Sequence, residues 1–130
     1  MSLNDTLSNA LSHIKNCEKA AKNKCIVKNS SKLIKGVFDI LKERKYIRSY
    51  KEVKTPKGNY LEVELSGTIN NCGAIKPRFS VTISEFEKFE RRYLPAKDFG
   101  IVILSTTQGL ITFEEAKEKD IGGRLMAFCY

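Results

Sequence analysis

Apolar residues near the start of the chain recur at intervals of three and four. Leu3, Leu7, Ala10, Leu11 and Ile14 share one helical face, with Asn4 or Ser2 as the cap, so the spacing predicts an amphipathic helix ending near Cys17. Lys15, Lys19 and Lys22 continue a polar stripe. Cys25 to Lys28 is short and rich in β-branched residues and reads as a strand. Asn29, Ser30 and Ser31 then offer capping oxygens for a second helix, whose buried face is Leu33, Val37, Phe38 and Leu41. Tyr46 to Lys54 reads as extended and Thr55-Pro56-Lys57-Gly58-Asn59 as a turn. Leu61, Val63 and Leu65 alternate with Glu62 and Glu64, completing a hairpin with one wet face.

Gly67 to Pro77 is polar and turn-rich, which places a linker there and a module boundary near residue 68. Beyond it, Phe79, Val81 and Ile83 alternate as a strand. Ser84 with Glu87 makes a capping box for a short helix with Phe86, Phe89 and Tyr93 on its inner face, and Pro95 stops that helix. Gly100 to Leu104 is a compact strand that enters the small polar loop Ser105-Thr106-Thr107-Gln108-Gly109. Leu110 and Ile111 resume the sheet, and Thr112 with Glu115 forms a second capping box for a helix over 114–119. Gly122-Gly123 ends that excursion, and Arg124 to Tyr130 closes the sheet. The expected class is α+β in two small α/β modules: an αβαββ unit over 1–68 and a mostly antiparallel sheet with short helices over 69–130.

Composition narrows the partner more than the fold. Among 130 residues, 23 Lys+Arg against 15 Asp+Glu give a net charge of +8, which favours a polyanion, with nucleic acid first. The excess is uneven: residues 1–66 hold 14 basic and 7 acidic groups, and residues 67–130 hold 9 and 8. Lys15, Lys19, Lys22, Lys24, Lys28, Lys32 and Lys35 are accompanied only by Glu18 among acids, a density that can neutralise several phosphates. Lys32 and Lys35 also fall in the first turns of a helix, where a bound anion would reconcile them with the helix dipole. No apolar run approaches the roughly 20 residues of a spanning helix. The first ten residues lack a basic start, so a cytoplasmic protein without a membrane partner is expected.

The chemistry-bearing residues argue against catalysis. Cys17, Cys25, Cys72 and Cys129 contain no Cys-x-x-Cys pair, and His13 has no partner at a ligand spacing, so free, partly buried thiols are expected in preference to a zinc site. A hydrolase centred on Ser105 would need a base, and the sole histidine lies in the other module. Glu85, Glu87 and Glu90 interleave with Lys88, Arg91 and Arg92 as a salt-linked helix surface, and no glycine-rich phosphate loop appears, so no cofactor is expected. Recognition explains the polar loop better: small hydroxyl residues let a backbone approach base edges and ribose 2′-hydroxyls. A protein–protein adaptor is the alternative, and it requires Phe86, Phe89 and Tyr93 to be exposed.

The motifs together resemble a family. The run Gly100-Ile101-Val102-Ile103-Leu104-Ser105-Thr106-Thr107-Gln108-Gly109, then Glu115-Ala116 and Gly122-Gly123, is similar to the signature of the eighth protein of the small ribosomal subunit. Ser2-Leu3-Asn4-Asp5, Ile14-Lys15-Asn16 and Ser30-Ser31-Lys32-Leu33 resemble its N-terminal blocks. The resemblance implies two small α/β modules and a scaffold that binds an irregular stem in the central domain of small-subunit ribosomal RNA and aids assembly. Its partners would be that RNA, neighbouring small-subunit proteins and, as in some members, a stem in its own messenger. It implies RNA contacts at Ser105, Thr106, Thr107, Gln108 and Gly109, at Ser31 and Lys32, and at Gly122 and Gly123. Thr107 stands where bacterial members usually carry serine, and Arg124 where they carry an acid. Arg124 and the segment Glu85 to Asp98 look like the archaeal and eukaryotic branch, which adds Lys88, Arg91, Arg92 and Arg124.

Overall fold

The structure, a computed structural model, describes residues 6–28, 31–76, 78–96 and 99–130. It divides into two compact units, the first running to Asn71 and the second from Cys72. Ser2 to Asp5, Asn29, Ser30, Pro77, Lys97 and Asp98 lie outside the described residues. Among the described residues no helix is long and apolar enough to cross a membrane.

The first unit has the expected αβαββ order: α1 (Thr6–Lys19), β1 (Lys24–Val27), α2 (Lys32–Glu43), β2 (Ile47–Thr55) and β3 (Gly58–Leu65). The strands form an antiparallel sheet in the order β1-β3-β2. Alternation assigns its faces: Cys25 and Val27 on β1, and Leu61, Val63 and Leu65 on β3, are buried, while the residues between them are not. Leu7, Ala10, Leu11, Ile14 and Cys17 form the buried stripe of α1, which packs against β1 and α2. On α2 the stripe is Ile34, Val37, Phe38, Ile40 and Leu41. Leu33, expected inside, is only partly buried, because Ile34 is the residue that shares a face with Val37, Phe38 and Leu41.

A polar clamp ties α2 to β2. Lys35 Nζ lies 3.0 Å from a Glu52 carboxylate oxygen, and the Tyr50 ring meets Phe38 edge-on at 5.7 Å. The Tyr50 hydroxyl donates to the Asp39 carboxylate. Burial first, and then the hydrogen bond and charge of Asp39, push the Tyr50 phenol up to about 12.

The second unit contains β4 (Cys72–Ala74), β5 (Ser80–Val81), a 3-10 turn at Ile83–Glu85, α3 (Phe86–Tyr93), β6 (Ile101–Thr106), β7 (Gly109–Thr112), α4 (Phe113–Lys119) and β8 (Gly123–Cys129). Its antiparallel sheet runs β4-β8-β6-β7, with β5 also paired to β8. The strand expected over Phe79, Val81 and Ile83 shrinks to two residues. Phe79 is exposed and Ile83 has entered the 3-10 turn, which starts at Thr82. The capping box accordingly uses Thr82 and Glu85, not Ser84 and Glu87: the Glu85 carboxylate accepts from the Thr82 backbone N–H at 3.0 Å. Thr112 behaves as expected, its hydroxyl accepting from the Glu115 N–H at 3.3 Å. Helix α4 ends at Lys119, with Asp120 as its cap in the left-handed region, φ +56°, and the glycine pair leads into β8.

The core of this unit joins Val102, Leu104, Ile111 and Leu125 from the sheet to Phe86, Phe89, Phe113 and Ala116 from the helices. Phe86 and Phe113 stack with centroids 4.2 Å apart and planes 1° from parallel, so α3 and the start of α4 are locked through one ring pair.

Candidate nucleic-acid interface

The polar loop predicted at 105–109 is a tight hairpin. Thr106 pairs with Gly109, leaving Thr107 and Gln108 as the exposed two-residue turn between β6 and β7. Gly109 sits at φ +104°, a conformation that suits a residue without a side chain. The Thr106 hydroxyl donates to the Gly109 carbonyl at 2.9 Å and accepts from the Gln108 N–H at 3.1 Å. Thr106 therefore shapes the turn with its own hydroxyl, whereas Thr107 and Gln108 present their side chains to solvent. Ser105 is half-buried at the root of the hairpin.

The sheet brings a second predicted segment beside this loop. On β8, Arg124 pairs with Ser105 of β6 on one edge and with Ser80 of β5 on the other. The two preceding glycines answer to close packing, not to backbone conformation. A Cβ on Gly123 would lie 2.6 Å from the Ser105 carbonyl oxygen and 2.8 Å from Thr106 Cγ2, and one on Gly122 would lie 2.4 Å from the Val81 carbonyl oxygen. The residues 105–109 and 122–124 thus share one end of the sheet, with Thr107, Gln108 and Arg124 exposed on it. Thr82 adjoins the Gly122 side and is passed over by sequence reasoning, which reads Ser84 only as a helix cap; the two hydroxyls are 3.0 Å apart. The hydrogen bonds from the Thr82 N–H and hydroxyl hold the Glu85 carboxyl below its usual range. The segment offers two overlapping capping-box patterns, Thr82 with Glu85 and Ser84 with Glu87, and the structure uses the first.

The remaining predicted residues lie elsewhere. In the first unit, Ser31 caps α2, its hydroxyl accepting from the Ile34 N–H at 3.3 Å, and Lys32 is exposed at the first helical position in a turn that holds no acid. On α3, Lys88, Arg91 and Arg92 are all exposed. Arg91 pairs with Glu87 at 2.8 Å, and Lys88 and Arg92 lie over the rings of Phe89 and Tyr93. The same helix removes the adaptor reading: Phe86 is 0% and Phe89 5% exposed, and Tyr93 is partly buried and stacks on Phe128 at 5.5 Å. Those rings are core, not a docking face.

One expectation about the cysteines is corrected. All four are buried thiols, but His13 does not stand apart from them. His13 and Cys17 are four residues apart on α1, and their ligand atoms and that of Cys25 on β1 all lie within 4.8 Å of one another. The third member comes from the next strand, so no spacing rule along the chain exposes the group.

Comparison with known proteins agrees with the motifs. The family model described as ribosomal protein S8 matches residues 5–130. The small ribosomal subunit protein uS8 of Archaeoglobus fulgidus is 48% identical over 126 residues, which cover 97% of this chain and 98% of that protein. On both grounds, the hairpin, the glycine pair and the αβαββ unit are those of a chain that belongs to the ribosomal protein S8 family.

Proposed function

We propose that this protein binds an irregular stem in the central domain of small-subunit ribosomal RNA, reading it with the β6–β7 turn and the Gly122–Arg124 segment. As a ribosomal protein of the small subunit the chain is structural and not an enzyme, with ribosomal RNA and neighbouring ribosomal proteins as its partners. The observation that carries the finer reading is the convergence at one sheet end of two motifs separated by more than ten residues. Thr107 and Gln108 offer a hydroxyl and an amide to bases splayed from an irregular stem, where sequence-specific RNA recognition concentrates. Arg124 adds a planar donor fork suited to phosphate or base edges. Thr106, Ser105 and the two glycines position these groups.

The first unit, together with α3 of the second, supplies the sequence-independent part of the affinity. Lys32 stands at the N-terminus of a 12-residue helix with no acid in its first turn, where unsatisfied backbone N–H groups and the dipole favour a phosphate. On α3, the Arg91–Glu87 pair is 77% and 63% exposed, and pairs of this kind are worth about 0–1 kcal/mol, so a phosphate readily displaces Glu87. A stem of the same irregular shape in the protein's own messenger would compete for the same turn.

The test is a competition between the central-domain stem and a regular duplex of equal length, at physiological salt. The irregular stem should win by tenfold or more, which is about 1.4 kcal/mol. The double substitution Thr107→Ala, Gln108→Ala should lose about 1 kcal/mol per hydrogen bond on the stem and nothing on the duplex. Equal affinity for both RNAs, or an unaffected double variant, would refute the assignment.

A further inference from the structure

We propose that His13, Cys17 and Cys25 form a binding site for a thiophilic divalent cation, zinc first, within the N-terminal unit. The His13-x-x-x-Cys17 spacing puts both side chains on one face of α1, a single turn apart. That face meets β1, where the inward-pointing alternation delivers Cys25. The imidazole nitrogen and both sulfurs lie within 4.8 Å of one another. In a tetrahedral zinc site with Zn–S near 2.3 Å and Zn–N near 2.0 Å, such atoms stand roughly 3.5–3.8 Å apart, so loading needs contraction by about 1 Å.

Buried thiols alone read as small apolar residues. What distinguishes this pair is the third ligand and the route to it. Cys17 is 6% and Cys25 2% exposed, while His13 is exposed and belongs to the wall of a groove lined also by Asn9, Ala10, Val27 and Lys28. A hydrated ion can therefore reach the imidazole from solvent, and the fourth coordination position is left for water. The donor set selects the ion. Two sulfurs and a nitrogen suit zinc and disfavour magnesium or calcium, which take oxygen ligands. Glu18, next to Cys17 in sequence, is instead held by the Gly67 N–H. Two thiolates and a neutral imidazole cancel the charge of the dication, so the loaded site is neutral, which suits its buried side. Loading replaces two S–H bonds by two metal–sulfur bonds and releases two protons to solvent. The ion would fasten α1 to β1.

The test uses the full chain, reduced and stripped with chelator, then titrated with cobalt(II) as a spectroscopic substitute. The expected result is one ion per chain, a thiolate charge-transfer band in the near ultraviolet, tetrahedral d–d absorption, and displacement of both by one equivalent of zinc. Two protons should be released per ion. Cys17→Ser and His13→Ala should each weaken binding at least tenfold, and Cys72→Ser, in the other unit, should leave it unchanged. His13 is exposed, so His13→Ala keeps the fold and far-ultraviolet circular dichroism verifies it. The proposal is overturned by absence of the thiolate band, by a band that survives both first-unit substitutions, or by one that disappears with Cys72→Ser.

Discussion

Substituting Gly123 by alanine tests the geometry of the candidate interface without touching a polar group. The new Cβ would stand 2.6 Å from the Ser105 carbonyl oxygen, 0.8 Å inside the 3.4 Å at which ordinary contact begins. That oxygen belongs to β6, which is paired to β8 at Ile101, Val102, Ile103, Leu104 and Ser105, so it cannot swing aside as a side chain would. Thr106 Cγ2, at 2.8 Å, blocks the other direction. Overpacking of this kind costs about 1–3 kcal/mol, and two obstructions place Gly123→Ala in the upper half of that range. A loss of about 2 kcal/mol lowers hydrogen-exchange protection roughly 30-fold wherever exchange follows opening of the sheet. The assay is peptide-resolved exchange over β6 and β8, with Gly58→Ala as control. Gly58 has φ +130° and nothing within 4 Å of an added Cβ, so its cost is backbone strain, and it should affect the β2–β3 hairpin alone. Protection over β6 and β8 within twofold of wild type would show that close approach does not account for glycine at position 123.

Three further outcomes follow from particular contacts. Thr106→Ala removes both hydroxyl bonds of the turn and should lower affinity for the RNA stem several-fold, whereas Thr106→Ser, which keeps them, should bind as wild type; equal binding by both would remove Thr106 from the positioning role. The Tyr50 phenol should ionise at about 12 in a near-ultraviolet titration, and Asp39→Asn should bring it part of the way down, since burial, the largest cause, remains. Because the folded value is raised, the stabilisation is complete below the ordinary tyrosine range and is lost as pH rises through about 12; a midpoint unmoved by Asp39→Asn would discount the Asp39 contact. Lys32→Glu should weaken RNA binding and reduce the salt slope by about one ion, while an acid in the first helical turn slightly stabilises α2. An unchanged slope would place Lys32 outside the interface.

Long periodic segments were the legible part of the fold. The αβαββ order, the wet-faced hairpin and the Thr112 cap follow from spacing and capping chemistry that act over a few residues. The failures lie where local signals are weak or tertiary packing decides. Phe79 and Ile83 alternate with Val81 correctly for a strand, yet Thr82 and Glu85 close a capping box first and the strand stops at two residues. At the interface, the loop hydroxyls were visible in the sequence, but that Thr106 turns inward depends on the two-residue hairpin register. The glycine pair marks in the sequence where the chain returns to the sheet, and β8 does start at Gly123, but the reason for glycine there, the approach of β8 to β5 and β6, depends on strand pairing. The grouping of His13, Cys17 and Cys25 was illegible for a related reason, since it requires knowing that α1 packs on β1.

The position of β8 in the chain has a consequence for synthesis. This strand pairs with β4, β5 and β6, and all three precede it in sequence. Until it emerges, Ile101 to Leu104, a run buried at every position in the finished fold, has an open edge on the side opposite β7. The Arg124–Ser105 register arises in the same step that closes this edge. A nascent chain would therefore bring residues 105–109 and 122–124 together only when it closes this edge, so partly made copies would lack the surface proposed to read RNA.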